Sequence, residues 1–331
     1  MTARFTRRVL LALIAAFGLL AATSCQPLID PSAPPSSTPP DHPLTTLFRA
    51  SVSGDRLNAG RAWLGVGDSV RAVEAWAGVP SLDSVEMPLL DVIAEEALNA
   101  GNPALARSSY QTIASRNPDD RAAQFSLGLL LAATGADAAI EALQVASGES
   151  AFSTPAQDIL NAMGAQSGER VGWALFAGHF WPAAELAFTR AAADPSFTAR
   201  GMAGLALSRD YQSKDGGLWM DRALSAAPED AGVRALESVH LRMQRDLNGS
   251  LNAAQRAAAL APESAAMLAQ LGAAYERLGQ LDGARTWYER AQTLAGGDPR
   301  YEDLAATAAQ TEDAALDALL EALQRGEASA P

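Results

Sequence analysis

The stretch LAQLGAAYERLGQLDGARTWYERA, Leu268 to Ala291, sets Gly272, Ala284 and Ala291 among Leu271, Tyr275 and Tyr288. Small beside large at helical spacing, on both sides of a turn at Leu278 to Asp282, is the pattern of two antiparallel helices that cross closely. Gly272 and Ala284 stand where the axes meet, and a larger side chain there would push them apart. Tyr275 and Tyr288 fill the volume beside the crossing. A hairpin of this kind finishes burying its apolar sides only against further hairpins, so the feature predicts copies of itself along the chain.

Those copies are present. Pro228 and Pro262 lie 34 residues apart, as boundaries of one repeat would. Leu241, Ala254, Ala257 and Leu260 keep the apolar sites of a weaker copy, with Ser238 in place of the glycine and Ser250 in place of the first alanine of the second helix. Ala203, Gly204, Leu207, Gly216, Met220 and Ala223 match one repeat earlier. Towards the N-terminus come Leu127, Gly128, Leu131, Gly135, Ala139, Leu143 and Ala146, then Ile93, Ala94, Gly101, Ala106 and Tyr110, and finally Ala59, Gly60, Trp63, Gly67, Ala72 and Trp76. Between Gly148 and Gly178 the register slips. Val171, Gly172 and Leu175 suit a first helix and Ala184, Phe188 and Ala191 a second, which leaves Thr154 to Gly164 as one extra helix.

The order large residue, Leu-Gly, Tyr, then Ala, aromatic and Pro over about 34 residues resembles the tetratricopeptide repeat. The resemblance implies an all-α, right-handed α-solenoid of about seven helical hairpins across residues 45–299, irregular near 148–178. Abundant alanine and few β-branched runs favour helix independently. Beyond Pro299 the pattern stops, and Ala315, Leu316, Leu319, Leu320 and Leu323 form one apolar stripe with Asp317, Glu321 and Arg325 outside it. Residues 300–331 are therefore expected to supply a capping helix and a tail, since a solenoid needs a final helix with one wet face. The other use of such a stripe, lying in a membrane surface, is disfavoured by its acidic polar side.

The N-terminus follows a different pattern. Arg4, Arg7 and Arg8 precede an apolar run from Val9 to Ala22, the layout of a secretory signal over residues 1–24. Thr6, Arg7 and Arg8 also resemble a twin-arginine export signal. The run ends in Ala22, Thr23, Ser24 and Cys25, followed by Gln26, and resembles the lipobox of bacterial lipoproteins, with Ala22 where that motif usually has Leu. The resemblance implies that Cys25 is lipidated, that the protein is extracytoplasmic and membrane-anchored, and that Gln26 sorts it to an outer membrane if the host has one. Cys25 is the only cysteine, so no intramolecular disulfide competes for it. From Gln26 to His42 the chain is rich in Pro and Ser, so residues 25–44 read as the lipidated cysteine and a tether, with a reach on the order of 50 Å at about 3.1 Å per residue.

Charge narrows the partners. Of 25 Lys and Arg, removal of Arg4, Arg7 and Arg8 leaves 22 against 38 Asp and Glu, a formal −16. That balance argues against nucleic acid, which demands clustered cations, and against electrostatic adhesion to anionic lipid. Catalytic constellations are scarce. His42, His179 and His240 are far apart and none has a His or Cys partner at metal-ligand spacing, so no metal or cofactor is expected. Gly65 and Gly67 suit a helical-hairpin turn better than a phosphate loop, because Val70 stands where a third glycine belongs. Lys214, the only lysine, lacks a serine three residues before it. His179 sits among Trp173, Phe176, Phe180 and Trp181, which leaves open a small-ligand receptor or divergent hydrolase in that irregular region; core packing is the plainer account.

An enzyme is thus not expected; a binding surface is. In the tetratricopeptide family the first helices line a concave groove, and the resemblance places Arg209, Arg242 with Met243, and Glu276 with Arg277 near the groove-facing ends of three consecutive first helices. Aligned arginines there would grip a carboxylate or an acidic peptide by bidentate hydrogen bonds. Cations near a helix C-terminus are also favourable with no ligand at all. Asp91 and Glu95 would face the groove of an early repeat, implying a different recognition at that end. The expected function is a lipid-anchored adaptor holding a peptide or protein partner in the cell envelope, where family members of this layout are associated with pilus or secretion-channel assembly and with docking of cell-wall enzymes. A spacer with no specific ligand is the bland alternative.

Overall fold

A computed structural model describes residues 54–148, 151–165, 167–296, 298, 301 and 312–325. The signal segment, Cys25 and the tether lie outside the described residues. Among the described residues the secondary structure is helical with no strand, and helices pair in sequence as antiparallel hairpins. The chain divides into two compact units, residues 1–127 with 141–157 and residues 128–140 with 158–331.

The first unit contains α1 (Arg56–Gly65), α2 (Ser69–Ala77), α3 (Met87–Asn99) and α4 (Pro103–Arg116), with the first half of α5 (Arg121–Thr134), most of α6 (Ala139–Ala146) and the start of α7 (Ser153–Gly164). Of its helices, α1, α2 and α4 begin at side-chain caps. Asp55 accepts from the amide of Asn58, Asp68 from that of Arg71, and Asn102 from that of Leu105, each satisfying an orphan donor of a first turn. Pro103 at the first helical position fits the same scheme, as its missing N–H is no loss there. Gly60 of α1 lies directly against the indole of Trp76 in α2, and Trp76 is fully buried, donating Nε1 to the Leu57 carbonyl at 3.2 Å. Arg116, ending α4, folds back to the loop before α3 and donates to the carbonyls of Leu82, Asp83 and Val85.

The second unit holds α8 (Gly168–Ala177), α9 (Trp181–Ala191), α10 (Ala199–Asp210), α11 (Gly217–Ala226), α12 (Ala231–Met243), α13 (Leu247–Leu260), α14 (Ala265–Arg277), α15 (Leu281–Ala295) and α16 (Glu312–Arg325), together with the ends of α5 and α7. The pairs α8/α9, α10/α11, α12/α13 and α14/α15 are hairpins, and the first helices α8, α10, α12 and α14 each adjoin the next. A Cβ placed on Gly172 would stand 2.6 Å from the Phe188 ring, and one on Gly272 would stand 2.7 Å from Tyr288. Both rings are fully buried, so the glycines set how near the two axes come. In the weaker copy Ser238 and Ser250 occupy that crossing. Their hydroxyls meet at 3.0 Å and Ser250 donates to the Ser238 carbonyl at 2.8 Å, so a polar pair does by hydrogen bonding what Gly and Ala do by close packing.

Each hairpin turn uses one left-handed residue. Gly67, Gly101, Gly135 and Gly279 hold it with φ between 73° and 82°, a region open to glycine without cost. His179, Ser213 and Arg245 hold the equivalent position with φ of 65°, 57° and 63°. Links of about one repeat in length then tie hairpin to hairpin. Glu169 accepts from the amide and hydroxyl of Thr198, the cap of α10, at 3.1 and 2.6 Å. Arg200 forms a bidentate pair with Asp230, the cap of α12, at 2.9 to 3.1 Å.

Candidate partner-binding groove

In the second unit α16 lies against first helices. This helix packs most extensively on α14 and also touches α12 and α8. Ala315 and Ala318 share one buried cluster with Ala269 and Ala273 of α14, with Tyr288 and Ala291 of α15, and with Tyr301. Nearer its end, Leu323 lies against Gly232 of α12, where an added Cβ would stand 2.5 Å from Leu323 Cδ2. The expected closing helix therefore covers the faces of several first helices, with Asp317 and Glu321 exposed.

The sequence-expected arginines do not form one row of open cations. Arg209 donates Nη1 to Glu185 at 2.8 Å and Nε to the Asp215 carbonyl at 2.8 Å. Glu185 also accepts from Lys214 at 2.6 Å and Gln212 at 2.9 Å, so one half-buried carboxylate on α9 gathers three donors from α10 and its following turn. Arg242 is buried, with 3% exposure, and Met243 beside it is partly buried. Glu276 accepts from the Tyr288 hydroxyl at 2.7 Å, a bond inside its own hairpin, whereas Arg277 is exposed.

One polar cluster is not apparent from the sequence. Asp210, at the end of α10, is buried and meets His240 Nδ1 of α12 at 2.6 Å. A carboxylate only accepts, so Nδ1 carries the proton. Asp210 Oδ1 further accepts from the Gly216 amide at 3.2 Å and from Gln244 Nε2 at 3.2 Å. Its one sequence signal is a spacing: Gln244 lies one 34-residue repeat after Asp210, and His240 one helical turn before it.

In the first unit Asp91 and Glu95 lie one helical turn apart on α3. Burial and then the Asp120 carboxylate push the Asp91 carboxyl above its ordinary value. Burial, then Asp91 and Glu96, do the same for Glu95. Burial, with Glu95 next, also pushes up the hydroxyl of Tyr110, against the lowering effect of its hydrogen bond with Ser126. An acidic face of this kind accommodates cations more readily than carboxylates.

The aromatic region is packed ring on ring. Trp173 meets Phe188 edge-on at 5.1 Å and Phe176 at 5.9 Å, and Phe176 meets Tyr211 at 5.6 Å. Trp181 stacks on Tyr211 at 4.8 Å and carries His179 at its edge. Tyr211 joins from the next hairpin, and nothing local in the sequence ties it to this cluster. His179 is an exposed turn residue: its amide bonds the Phe176 carbonyl and that of Phe180 bonds Leu175, the same pair of bonds that Gly279 and Gln280 make with Glu276 and Tyr275. A shallow hollow of about 480 Å³ is lined by Met202, Leu218, Asp221, Arg222, Ser225 and Ala226, none of them from that region. Among the described residues no three of His, Cys, Asp and Glu converge as a metal site, and no helix is long and apolar enough to cross a membrane.

The tetratricopeptide repeat family profile matches residues 92–153 and 238–299. No curated protein matches the chain in sequence. Similar solved structures include YrrB, described as a TPR protein with an unusual peptide-binding site, at 15% identity and a TM-score of 0.35 over 62% of this chain and 100% of that one. A tetratricopeptide repeat protein from Parabacteroides merdae is 12% identical, with a TM-score of 0.38 over 81% and 98%. TTC0263 from Thermus thermophilus is 15% identical, with a TM-score of 0.28 over 77% and 98%. None of these likenesses bears on a ligand. The family profile matches two segments and the same hairpin is repeated between and around them, so the chain carries tetratricopeptide repeats.

Proposed function

We propose that this protein is a non-catalytic adaptor of a bacterial cell envelope, anchored through a lipid on Cys25, raised from the membrane by the Pro/Ser tether, and holding a peptide or protein partner on its first helices. The observation that carries the binding part is the common face that α8, α12 and α14 offer to a single helical segment. The anchor rests on the signal-like run ending at Cys25. Pilus assembly, secretion channels and cell-wall enzymes are the settings that the resemblance suggests for such a partner.

Photo-crosslinking in cells tests the adaptor. A crosslinkable residue replacing Arg277, which is exposed at the end of a first helix, is expected to capture a discrete protein partner, and one replacing Arg256, exposed on the second helix α13, is not. Capture only from the second-helix position would move the site to the other surface, and capture from neither would leave a spacer. Fractionation tests the anchor: Cys25→Ala should move the protein from membranes to the soluble fraction, and its retention on membranes would remove the lipid.

A further inference from the structure

We propose that the first-helix face of the second unit is a docking groove for an alanine- and leucine-rich amphipathic helix of a partner protein, and that α16 is the chain's own occupant, displaced when that helix binds. The inference rests on the adaptor reading above and names the chemistry of its partner.

The shape of the groove is recorded by what fills it. In α14 nine consecutive residues, Ala266 to Ala274, are buried. Leu268, Leu271 and Gly272 face the hairpin partner, but Ala266, Ala269 and Ala273 fall on another side of the helix, which an open first helix would leave wet. Ala269 and Ala273 of that row share one buried cluster with Ala315 and Ala318. Alanine on alanine lets two helices approach closely, and Gly232 leaves room for the Leu323 side chain further along. The occupant thus presents small residues towards α14 and leucines beside them, with Asp317 and Glu321 turned outwards. An extended acidic peptide has neither the shape nor the charge for this surface, since Arg209 is held by Glu185 and Arg242 is buried.

Two features are poorer than a permanent core would carry. Gln270 shares the helix face of Ala266 and Ala273, is fully buried, and has no hydrogen-bond partner among the described residues for either its oxygen or its nitrogen. A buried amide left so is costly, and an apolar side chain would serve a fixed contact better. Water in an open groove, or a polar side chain on the incoming helix, would satisfy it. The Asp158 carboxyl of α7 is pushed up first by burial and then by the like charge of Glu321 on α16. Withdrawal of α16 takes the like charge of Glu321 away from Asp158.

The test uses the full-length chain. Leu319 is fully buried, and Leu319→Asp should expel α16 while the hairpins stay folded. A fluorescent peptide of residues 312–325 should then bind the variant at least ten times more tightly than the wild type, whose groove is occupied, and the same peptide carrying Leu319→Asp should bind neither. As a second route, a protease site placed within residues 302–311 and cut in the folded protein should let the labelled peptide exchange for the cut α16 within minutes to hours. Peptide binding to neither protein, no exchange after cutting, or loss of cooperative hairpin unfolding in both the variant and the cut protein would overturn the proposal and make α16 part of the core. A concentration-dependent wild-type dimer that trades α16 between copies would overturn the partner in favour of a second copy. Peptide exchange without a crosslinked cellular partner would sink the adaptor and keep the groove; a crosslinked partner without peptide exchange would do the reverse.

Discussion

At the scale of single residues, the hairpin crossing is decided by sterics more than by helix propensity. Gly272→Ala gains about 1 kcal/mol of intrinsic helix preference, yet its Cβ would stand 2.7 Å from a fully buried tyrosine ring. Overpacking of a tight core typically costs about 1–3 kcal/mol, so the expected net result is a loss of up to about 2 kcal/mol, read as a lower denaturant midpoint. The opposite sign would mean that the tyrosine moves freely. The serine crossing behaves differently. Ser238→Ala leaves buried Ser250 with its bond to the Ser238 carbonyl but without its hydroxyl partner, at about 1 kcal/mol, whereas Ser250→Ala also strips the carbonyl and should cost more. Ser238→Ala with Ser250→Ala should cost less than the two single changes added, because the paired hydroxyls leave together. Of these positions the glycine and the tyrosine were legible in sequence, since small and large residues alternating in one repeated register require helices that cross closely. That the two serines bond each other was not, because a hydroxyl at a crossing reads as a weak match until its partner is placed opposite.

At the scale of elements, first helices are joined by side chains one repeat apart. Removing the Asp210 carboxylate strips the acceptor from His240, Gln244 and the Gly216 amide together. Leaving a buried donor without its acceptor typically costs about 1–3 kcal/mol, so Asp210→Ala should lose about that much and Asp210→Asn less, by thermal or denaturant unfolding. On α3 the electrostatics run the other way. Glu95 has its carboxyl pKa raised above the ordinary 4.5, so the folded state holds its proton more tightly than the unfolded chain. Its contribution to stability is therefore greatest at acid pH and declines as pH rises from about that value through the raised one. Glu95→Gln is expected to stabilise the first unit slightly at pH 7, by a few tenths of a kcal/mol after solvent screening, and to flatten the pH dependence above pH 4.5. An unchanged pH profile would show that Glu95 is not coupled to folding. The helices themselves were legible, including the extra one near 154–164, because caps, apolar periodicity and turn residues are all local. The polar links between them were legible only as recurring spacings.

At the scale of the whole molecule, a repeat array carries stability from neighbour to neighbour. Asp210→Ala should therefore speed amide exchange in α10, α12 and their hairpin partners and leave α1 and α2 unchanged, in a mass-spectrometric exchange experiment on the full chain. Uniform loss of protection everywhere would show a single cooperative core instead. The groove belongs to this scale too. Arg209 and Arg277 lie two 34-residue periods apart, with Arg242 one residue before the position between them, yet Arg209 is bound by Glu185, Arg242 is buried and Arg277 is exposed, since what each meets depends on other hairpins.

The amino-acid sequence by itself determined the hairpin, its period and its tetratricopeptide character, because glycine against aromatic, cap, turn and apolar stripe are interactions within some 34 residues of chain. It also carried the amphipathic pattern of α16. Only the tertiary structure decided where that helix goes. An apolar stripe states that a face must be covered and is silent about which surface covers it, and the choice of α14, α12 and α8 rests on complementarity between side chains 40 to 150 residues apart.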